Sequence, residues 1–162
     1  MLREKVFYTN LYRHYRMQKR GEAIEVAKIV RDVSGVRSER PTLVSLYVPA
    51  GAAFERVATA LRGELPAPPS ALGAVEARLA TAWDRLTKAC PHGFAVFAGV
   101  TGAGGGWVFE TVPLPEPIDE PIVMVGNRFY VEPLVEMLWK CGPRVRAALG
   151  VKGRLTRRRP RV

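Results

Sequence analysis

Residues Leu43–Pro49 form the short apolar run LVSLYVP, in which Ser45 is the one small polar residue. This length and the β-branched and aromatic side chains predict a buried β-strand. Pro49 and Gly51 end the strand, because proline cannot donate to a sheet ladder and glycine permits a turn. The segments on either side of this strand decide which fold surrounds it.

Helical periodicity marks the neighbouring segments. Residues 22–33 place apolar and charged side chains at helical spacing, which predicts an amphipathic helix. Residues 52–65 and 71–89 predict two more helices, and the sequence PAPPS at Pro66–Ser70 separates them. These two helices therefore form an αα-hairpin with a proline-rich tip.

Three further strands and a helix follow the hairpin. The strands are GFAVFAGV (Gly93–Val100), GWVFETVPL (Gly106–Leu114) and PIVMVG (Pro121–Gly126), and TGAGGG joins the first two as a hairpin turn. Tyr130–Leu138 predicts a fourth helix, with Pro133 tolerated in its first turn. The later segment VRAALGV is expected to add a short strand or a helical turn.

The predicted order α-β-α-α-β-β-β-α indicates an α/β protein with a four-stranded mixed sheet and helices on both faces, including the αα-hairpin. At 162 residues the chain can bury the core of one domain. We expect a basic aromatic arm at 1–21, a globular core at 22–139 and a basic C-terminal tail at 140–162.

Positive charge is concentrated at the two ends of the chain. Residues 1–20 hold six Lys and Arg against one acid, and residues 140–162 hold nine and no acid. Because the whole chain carries +10, residues 21–139 are left at −4. Basic segments that flank a mildly acidic core are typical of proteins that bind a polyanion, since each contact with a phosphate releases condensed counterions. Solvated tails without a partner are the alternative.

We expect these basic ends to bind RNA. Arginine forks pair bidentately with phosphate oxygens and stack on bases, and tyrosines among them add stacking surfaces. The predicted RNA-binding residues are Tyr12, Arg13, Arg16, Lys19, Arg20, Arg144, Arg146, Lys152, Arg154, Arg157, Arg158, Arg159 and Arg161. Charge alone does not separate RNA from DNA.

No arrangement of residues in the sequence predicts catalysis. The glycine-rich TGAGGG precedes a strand and lacks the Gly-Lys-Ser/Thr ending of a nucleotide phosphate loop. His14 and His92 accompany no nucleophilic serine motif, and Cys90 and Cys141 match no zinc spacing. We therefore expect a protein that is not an enzyme and has no metal, cofactor or small-molecule substrate.

The sequence also predicts no membrane partner. No apolar run approaches the roughly 20 residues of a bilayer span. The N-terminal segment lacks the apolar stretch and the cleavage site of a secretory signal. We expect a cytoplasmic protein.

From Thr42 onward the chain resembles the N-terminal domain of archaeal and eukaryotic class-1 peptide chain release factors. LVSLYVP is similar to the first strand of that domain, and the helical hairpin, GFAVFAGV and PLPEPI (Pro113–Ile118) follow in the same order. The stretch GNRFYVEPLVEML (Gly126–Leu138) resembles the entry into the last helix of the domain. The similarity covers residues 24–139 and implies a release-factor N-domain-like fold.

The positions with which this family reads stop codons differ here. The hairpin tip carries PAPPS where the family has NIKS, and the YxCxxxF motif falls on Val123, Val125 and Phe129. The GTS element of the family falls near residues 40–42, of which Thr42 remains. The chain contains no GGQ motif, and its end falls where the central domain of the family would begin. Stop-codon decoding and peptide release are therefore not expected.

These features together predict a non-catalytic, ribosome-associated protein that binds rRNA and neighbouring ribosomal proteins. The resemblance implies an archaeal source, and a lineage-specific archaeal ribosomal protein is the first interpretation. A translation regulator, such as a hibernation or rescue factor acting near the decoding site, is the alternative. A DNA-binding architectural protein is a further one.

Overall fold

The computed structural model describes residues 19–63, 69–101 and 106–150, which form five helices and four strands. The helices are α1 (Lys19–Val33), α2 (Phe54–Arg62), α3 (Pro69–Ala89), α4 (Glu132–Trp139) and α5 (Pro143–Leu149). The strands are β1 (Leu43–Pro49), β2 (Gly93–Thr101), β3 (Gly106–Pro113) and β4 (Ile122–Gly126). The α/β class, the four strands and the αα-hairpin of α2 and α3 are confirmed.

The strands form one sheet in the order β3-β2-β1-β4, and every neighbouring pair is antiparallel. The expectation of a mixed sheet is wrong in this respect. A single crossover helix returns the chain to the end where a strand began, and the next strand is then parallel. Two antiparallel helices instead bring the chain back to the end where β1 finished, so Pro49 lies opposite Gly93.

Helices cover both faces of the sheet, as predicted. Successive residues of a strand point to opposite faces, so Leu43 and Tyr47 pack with α1, α4 and α5 while Leu46 and Val48 pack with α2 and α3. All residues of β1 are buried between these two layers. We call the face covered by α1, α4 and α5 the α1 side and the face covered by α2 and α3 the hairpin side.

The start of β2 requires a glycine. Gly93 has a φ of 101°, which L-residues with a side chain rarely adopt. A Cβ at this position would also collide with the carbonyl oxygen of Val48 on β1. Gly93 therefore permits the close approach of β2 to the end of β1 after the helical hairpin.

Buried polar groups of β1 hold the chain ahead of α4. The Tyr130 N–H donates to Ser45 Oγ at 2.7 Å, and the Tyr47 hydroxyl donates to the Tyr130 carbonyl. Burial raises the pKa of Tyr47, so its hydroxyl stays protonated and available as the donor. Because β1 engages both backbone groups of Tyr130, α4 begins at Glu132, two residues later than predicted.

Helix α5 extends the globular fold beyond the boundary predicted at residue 139. Its Val145 and Leu149 are buried in the cluster that α1 and α4 also line, so this part of the predicted tail belongs to the core. Pro143 in the first turn favours the start of the helix, and Gly150, with a φ of 69°, ends it. The sequence left a strand or a helical turn open here, since so short a segment shows little periodicity.

Candidate nucleic-acid interface

Two of the positions that correspond to codon-reading residues lie on β4, at an edge of the sheet. Val123 and Val125 pair with Leu46 and Val44 of β1 and are half-buried on the hairpin side. Valine side chains offer neither donors nor acceptors to the edge of a base. The geometry here supports apolar packing and not the reading of a codon.

The retained aromatic residue of the same motif serves the core. Phe129 is 1% exposed and belongs to the cluster on the α1 side. Its ring meets the ring of Phe97 edge to face, with the centroids 5.5 Å apart. Phe129 is therefore a packing residue that no nucleotide can reach in this conformation.

The retained threonine of the GTS element is also used by the fold. The Thr42 hydroxyl donates to the Val100 carbonyl at 2.7 Å and lies 2.9 Å from the hydroxyl oxygen of Ser38. The Ser38 N–H in turn donates to the Asn127 carbonyl at 2.9 Å. Thr42 thus ties the loop before β1 to β2, and through Ser38 this loop reaches the chain after β4.

Arg144 and Arg146, two of the predicted RNA-binding residues, lie exposed on α5. The sequence of this helix, PRVRAAL, contains no acid. The Arg146 Nε–H donates to the Trp139 carbonyl at 2.7 Å, and its guanidinium carbon lies 4.9 Å from the centroid of the Trp139 ring. Stacking and the Nε bond hold the guanidinium in place while leaving its terminal nitrogens for a phosphate.

The other predicted contact residues lie at the ends of the described ranges or outside them. Lys19 and Arg20 begin α1, so the predicted arm 1–21 shares its last residues with this helix. The remaining predicted residues lie outside the described ranges: Tyr12, Arg13, Arg16, Lys152, Arg154, Arg157, Arg158, Arg159 and Arg161. The same holds for most of the hairpin tip PAPPS.

Helices α1 and α5 run side by side in the same direction. Cys141, just before α5, lines a pocket with Glu22 and Val26 from the first half of α1. Gly150, just after α5, lies against the side chain of Arg31 near the end of α1. The structure thus brings Arg31 to the base of the C-terminal segment, which sequence reasoning did not foresee because no local pattern connects α1 with α5.

Arginines on the hairpin side are engaged by the protein itself. Arg56 pairs with Glu120 at 2.9 Å, and Arg62 bonds both carboxylate oxygens of Glu76, the shorter bond being 2.6 Å. The hydrogen bond and the charge of Glu76 raise the pKa of Arg62 above its ordinary value. These arginines are largely neutralised by neighbouring acids.

One further arginine of the hairpin side stacks on aromatic rings. The Arg78 guanidinium carbon lies 5.8 Å from the ring centroid of Trp107 and 5.7 Å from that of Phe109 on β3. No local sequence pattern marks Arg78, because the contact joins a helix to a strand far along the chain.

A pocket of about 300 Å³ lies beside the first half of α1, lined by Glu22, His92 and Cys141 among apolar residues. Burial, with the charge of Glu116 second, raises the pKa of Cys141, so this thiol is not poised as a thiolate nucleophile at neutral pH. The described residues contain no group of three potential ligands that could hold a metal ion. Within the same ranges no helix is both long and apolar enough for a bilayer span.

Comparison with curated proteins finds relatives of this chain, among them two release factors from different organisms. Peptide chain release factor subunit 1 of Methanocaldococcus jannaschii is 31% identical over 127 residues, which are 68% of this chain and 29% of the relative. The protein of the same name from Thermococcus kodakarensis is 31% identical over 147 residues, covering 82% of this chain and 34% of the relative. The chain thus spans about a third of the length of the curated relatives that it matches.

Solved structures give the same result. A crystal structure of an archaeal translation termination factor superposes with a TM-score of 0.53 at 26% identity, covering 72% of this chain and 35% of that one. A second structure, described as an archaeal protein, gives a TM-score of 0.55 at 26% identity, with 72% and 36% covered. No family model matches the sequence.

Proposed function

This chain is homologous to archaeal peptide chain release factor subunit 1 over 68–82% of its length, and from this we propose that it is a ribosome-associated, rRNA-binding protein without catalytic activity. Its place is in translation, with rRNA and neighbouring ribosomal proteins as its partners in the cytoplasm. In this proposal the release-factor-like fold is a scaffold, and the basic segments at its two ends supply most of the contacts with RNA.

The replacement of the codon-reading positions is the observation that carries this proposal. Val123 and Val125 pack on the hairpin side, and the two retained motif residues, Phe129 and Thr42, are committed to the core and to a loop contact. A domain that kept its decoding role would keep polar groups toward the codon. Retention of packing residues without the polar ones favours a role in which the fold is used but decoding is not.

The charge of the chain supports RNA as the partner of this scaffold. The last 23 residues, 140–162, carry nine Lys and Arg and no acid. Contacts of this kind with phosphates dominate the affinity of nucleic-acid-binding proteins. Because the fold is related to that of a translation factor, ribosomal RNA is the polyanion that we propose as the partner.

Sedimentation of the protein with archaeal ribosomes tests this proposal. We expect the full chain to cosediment with one subunit at moderate salt and to dissociate at lower salt when residues 152–162 are deleted. Replacement of Arg157, Arg158 and Arg159 by lysine is the matched control, because it keeps the charge and removes only the planar fork. A full chain that stays at the top of the gradient at low salt excludes ribosome association.

A conditional translation regulator is the second candidate, and the homology to a termination factor favours it. Such a factor would occupy a site near the decoding centre only under certain conditions. Mass spectrometry of salt-washed ribosomes from growing cells separates the two candidates. Abundance equal to that of core ribosomal proteins supports the constitutive role, whereas occupancy far below one copy that rises in stationary phase supports the regulator.

A further inference from the structure

Resting on the proposed function, we infer that RNA contacts this protein on the α1 side, across α1 and α5. Of the positions of the YxCxxxF motif, Val123 and Val125 pack on the hairpin side, whereas the buried Phe129 belongs to the cluster on the α1 side. The proposed contact with RNA therefore lies away from β4, where valines occupy two of the codon-reading positions.

The two basic segments attach to the fold beside α1. Residues 1–18 precede Lys19, the first residue of α1, and residues 151–162 follow Gly150, which lies against Arg31 near the last turn of α1. Both segments therefore join the fold on the α1 side. From Lys19 to Arg31 helix α1 rises by about 18 Å, which separates the two points.

Two exposed arginines of α5 add positive charge to this surface. Arg144 and Arg146 project from a helix that has no acid of its own. Trp139 holds Arg146 by stacking and by accepting its Nε–H, as a preorganised phosphate ligand requires. This surface lies between the attachment points of the two basic segments and connects them.

Three acids of the α1 side lie beside basic groups other than Arg144 and Arg146. Glu25 lies 4.0 Å from Lys28, Asp32 lies 3.8 Å from Arg31, and Glu116 pairs with Lys140 at 2.9 Å. On the hairpin side, by contrast, Arg56 and Arg62 are bonded to acids and the edge strand β4 is apolar. Exposed basic residues occur on both sides, but only on the α1 side do they lie next to the points where the two basic segments join the fold.

The distance between the attachment points sets a minimum extent for the bound RNA. A partner that meets both attachment points and α5 must present phosphates over at least about 18 Å. A folded RNA holds its phosphates at such spacings in a fixed arrangement, which matches the fixed position of the Arg146 guanidinium. We therefore assign a folded RNA to the α1 side.

Neutralising substitutions on the two sides test the location. The probe is purified archaeal ribosomal RNA, with binding measured by filter retention over a range of salt concentrations. We expect Arg144→Gln with Arg146→Gln to weaken binding and to lower the slope of log affinity against log salt by up to about two. The control is Arg85→Gln with Lys88→Gln on the exposed face of α3, which removes the same charge from the hairpin side and should leave the slope unchanged.

The outcomes of this experiment separate the location from the proposed function. A full chain that does not bind ribosomal RNA even at low salt overturns the proposed function. A full chain that binds, combined with an unchanged slope for the α5 variant or an equal loss for the α3 variant, overturns only the location. Circular dichroism of each variant shows whether it is folded.

A second measurement keeps the location testable if the α5 variant does not fold. An iron chelate attached to Cys141, in a chain with Cys90→Ala, generates hydroxyl radicals beside α5. We expect cleavage of bound ribosomal RNA from this position and none from a chelate attached through Lys88→Cys in a chain with Cys141→Ser and Cys90→Ala. The reverse pattern places the RNA on the hairpin side and refutes the inference.

Discussion

At the scale of single residues, the fold explains which motif positions of the release-factor family persist in this chain. Phe129 is enclosed by the core, and Thr42 holds the loop before β1 to β2. These contacts are needed whether or not the domain reads a codon. Residues 123 and 125 lie half-buried at a sheet edge, where valine satisfies the packing, so a tyrosine and a cysteine there would be needed only for recognition.

Phe129→Ala should therefore lower the free energy of unfolding by about 3–5 kcal/mol, because it leaves a cavity beside the ring of Phe97. Val125→Cys, which restores the residue of the family motif, should change it by less than about 1.5 kcal/mol. Urea unfolding followed by tryptophan fluorescence measures both. Equal losses for the two variants would contradict a structural role confined to Phe129.

The buried thiol of Cys90 makes stability depend on alkaline pH. Burial, with the charge of Glu22 second, raises the pKa of Cys90 from an ordinary 9.0 to about 12. Because the pKa is raised in the folded state, the stability that the protonated thiol contributes is fully present below pH 9 and is lost as pH rises toward 12. At about pH 10.5 the thiol is ionised in the unfolded chain and protonated in the folded one, which lowers the free energy of unfolding by about 2 kcal/mol.

Cys90→Ala removes this dependence, so the stability difference between wild type and Cys90→Ala should shift by that amount between neutral pH and about pH 10.5. The unfolding midpoint in urea, measured at both pH values, gives the shift. Cys141→Ser is the comparison, since Cys141 lies closer to the surface and a smaller shift in the same direction is expected. A difference that stays constant with pH would show that the Cys90 thiol titrates alike in both states.

At the scale of elements, α5 shows how a short helix becomes part of a core. Its own sequence is too short for a stable isolated helix, and the contacts of Val145 and Leu149 with α1 and α4 stabilise it. The antiparallel sheet has a similar origin, because the pairing of α2 with α3 decides at which end β2 enters. In both cases an element takes its place from its neighbours.

Leu149→Ala should lower the free energy of unfolding by about 2–5 kcal/mol, because the side chain is fully buried against α1. Arg144→Ala on the exposed face of α5 should change it by no more than about 0.5 kcal/mol. Thermal unfolding of the two variants compares them. A small effect of Leu149→Ala would show that α5 is dispensable for the core.

At the scale of the whole molecule, charge is divided between the ends and the middle of the chain. The described fold supplies two exposed arginines on α5, and the flanking segments 1–18 and 151–162 hold ten Lys and Arg against one acid. Affinity for a polyanion should therefore depend strongly on salt and on those segments. Specificity for one folded RNA, in contrast, requires the fixed surface of the α1 side.

Deletion of residues 151–162 removes six Lys and Arg and should lower the slope of log affinity against log salt by up to about five. Filter binding to ribosomal RNA measures the slope, and duplex DNA at matched salt is the comparison. We expect tighter binding to ribosomal RNA than to duplex DNA. Tighter binding to DNA would favour the architectural DNA-binding alternative.

Much of this protein follows from its sequence alone. The run at Leu43–Pro49, the helical periodicities and the glycine and proline breakers predicted eight of the nine elements, because periodicity and turn residues act over a few neighbouring positions. The division of charge is likewise a property of the sequence. The order of the elements and the resemblance at Gly126–Leu138 together indicated the relationship to release factors.

Only the tertiary structure decided the antiparallel direction of the strands, the inclusion of α5 in the core and the side on which the basic segments join the fold. The contact of Arg146 with Trp139 and that of Gly150 with Arg31 join residues on different elements. Such contacts depend on how helices pack across a sheet, which local patterns do not encode. The sequence by itself therefore determined which segments are basic, and the packing of α5 beside α1 decided where the two basic segments meet the fold.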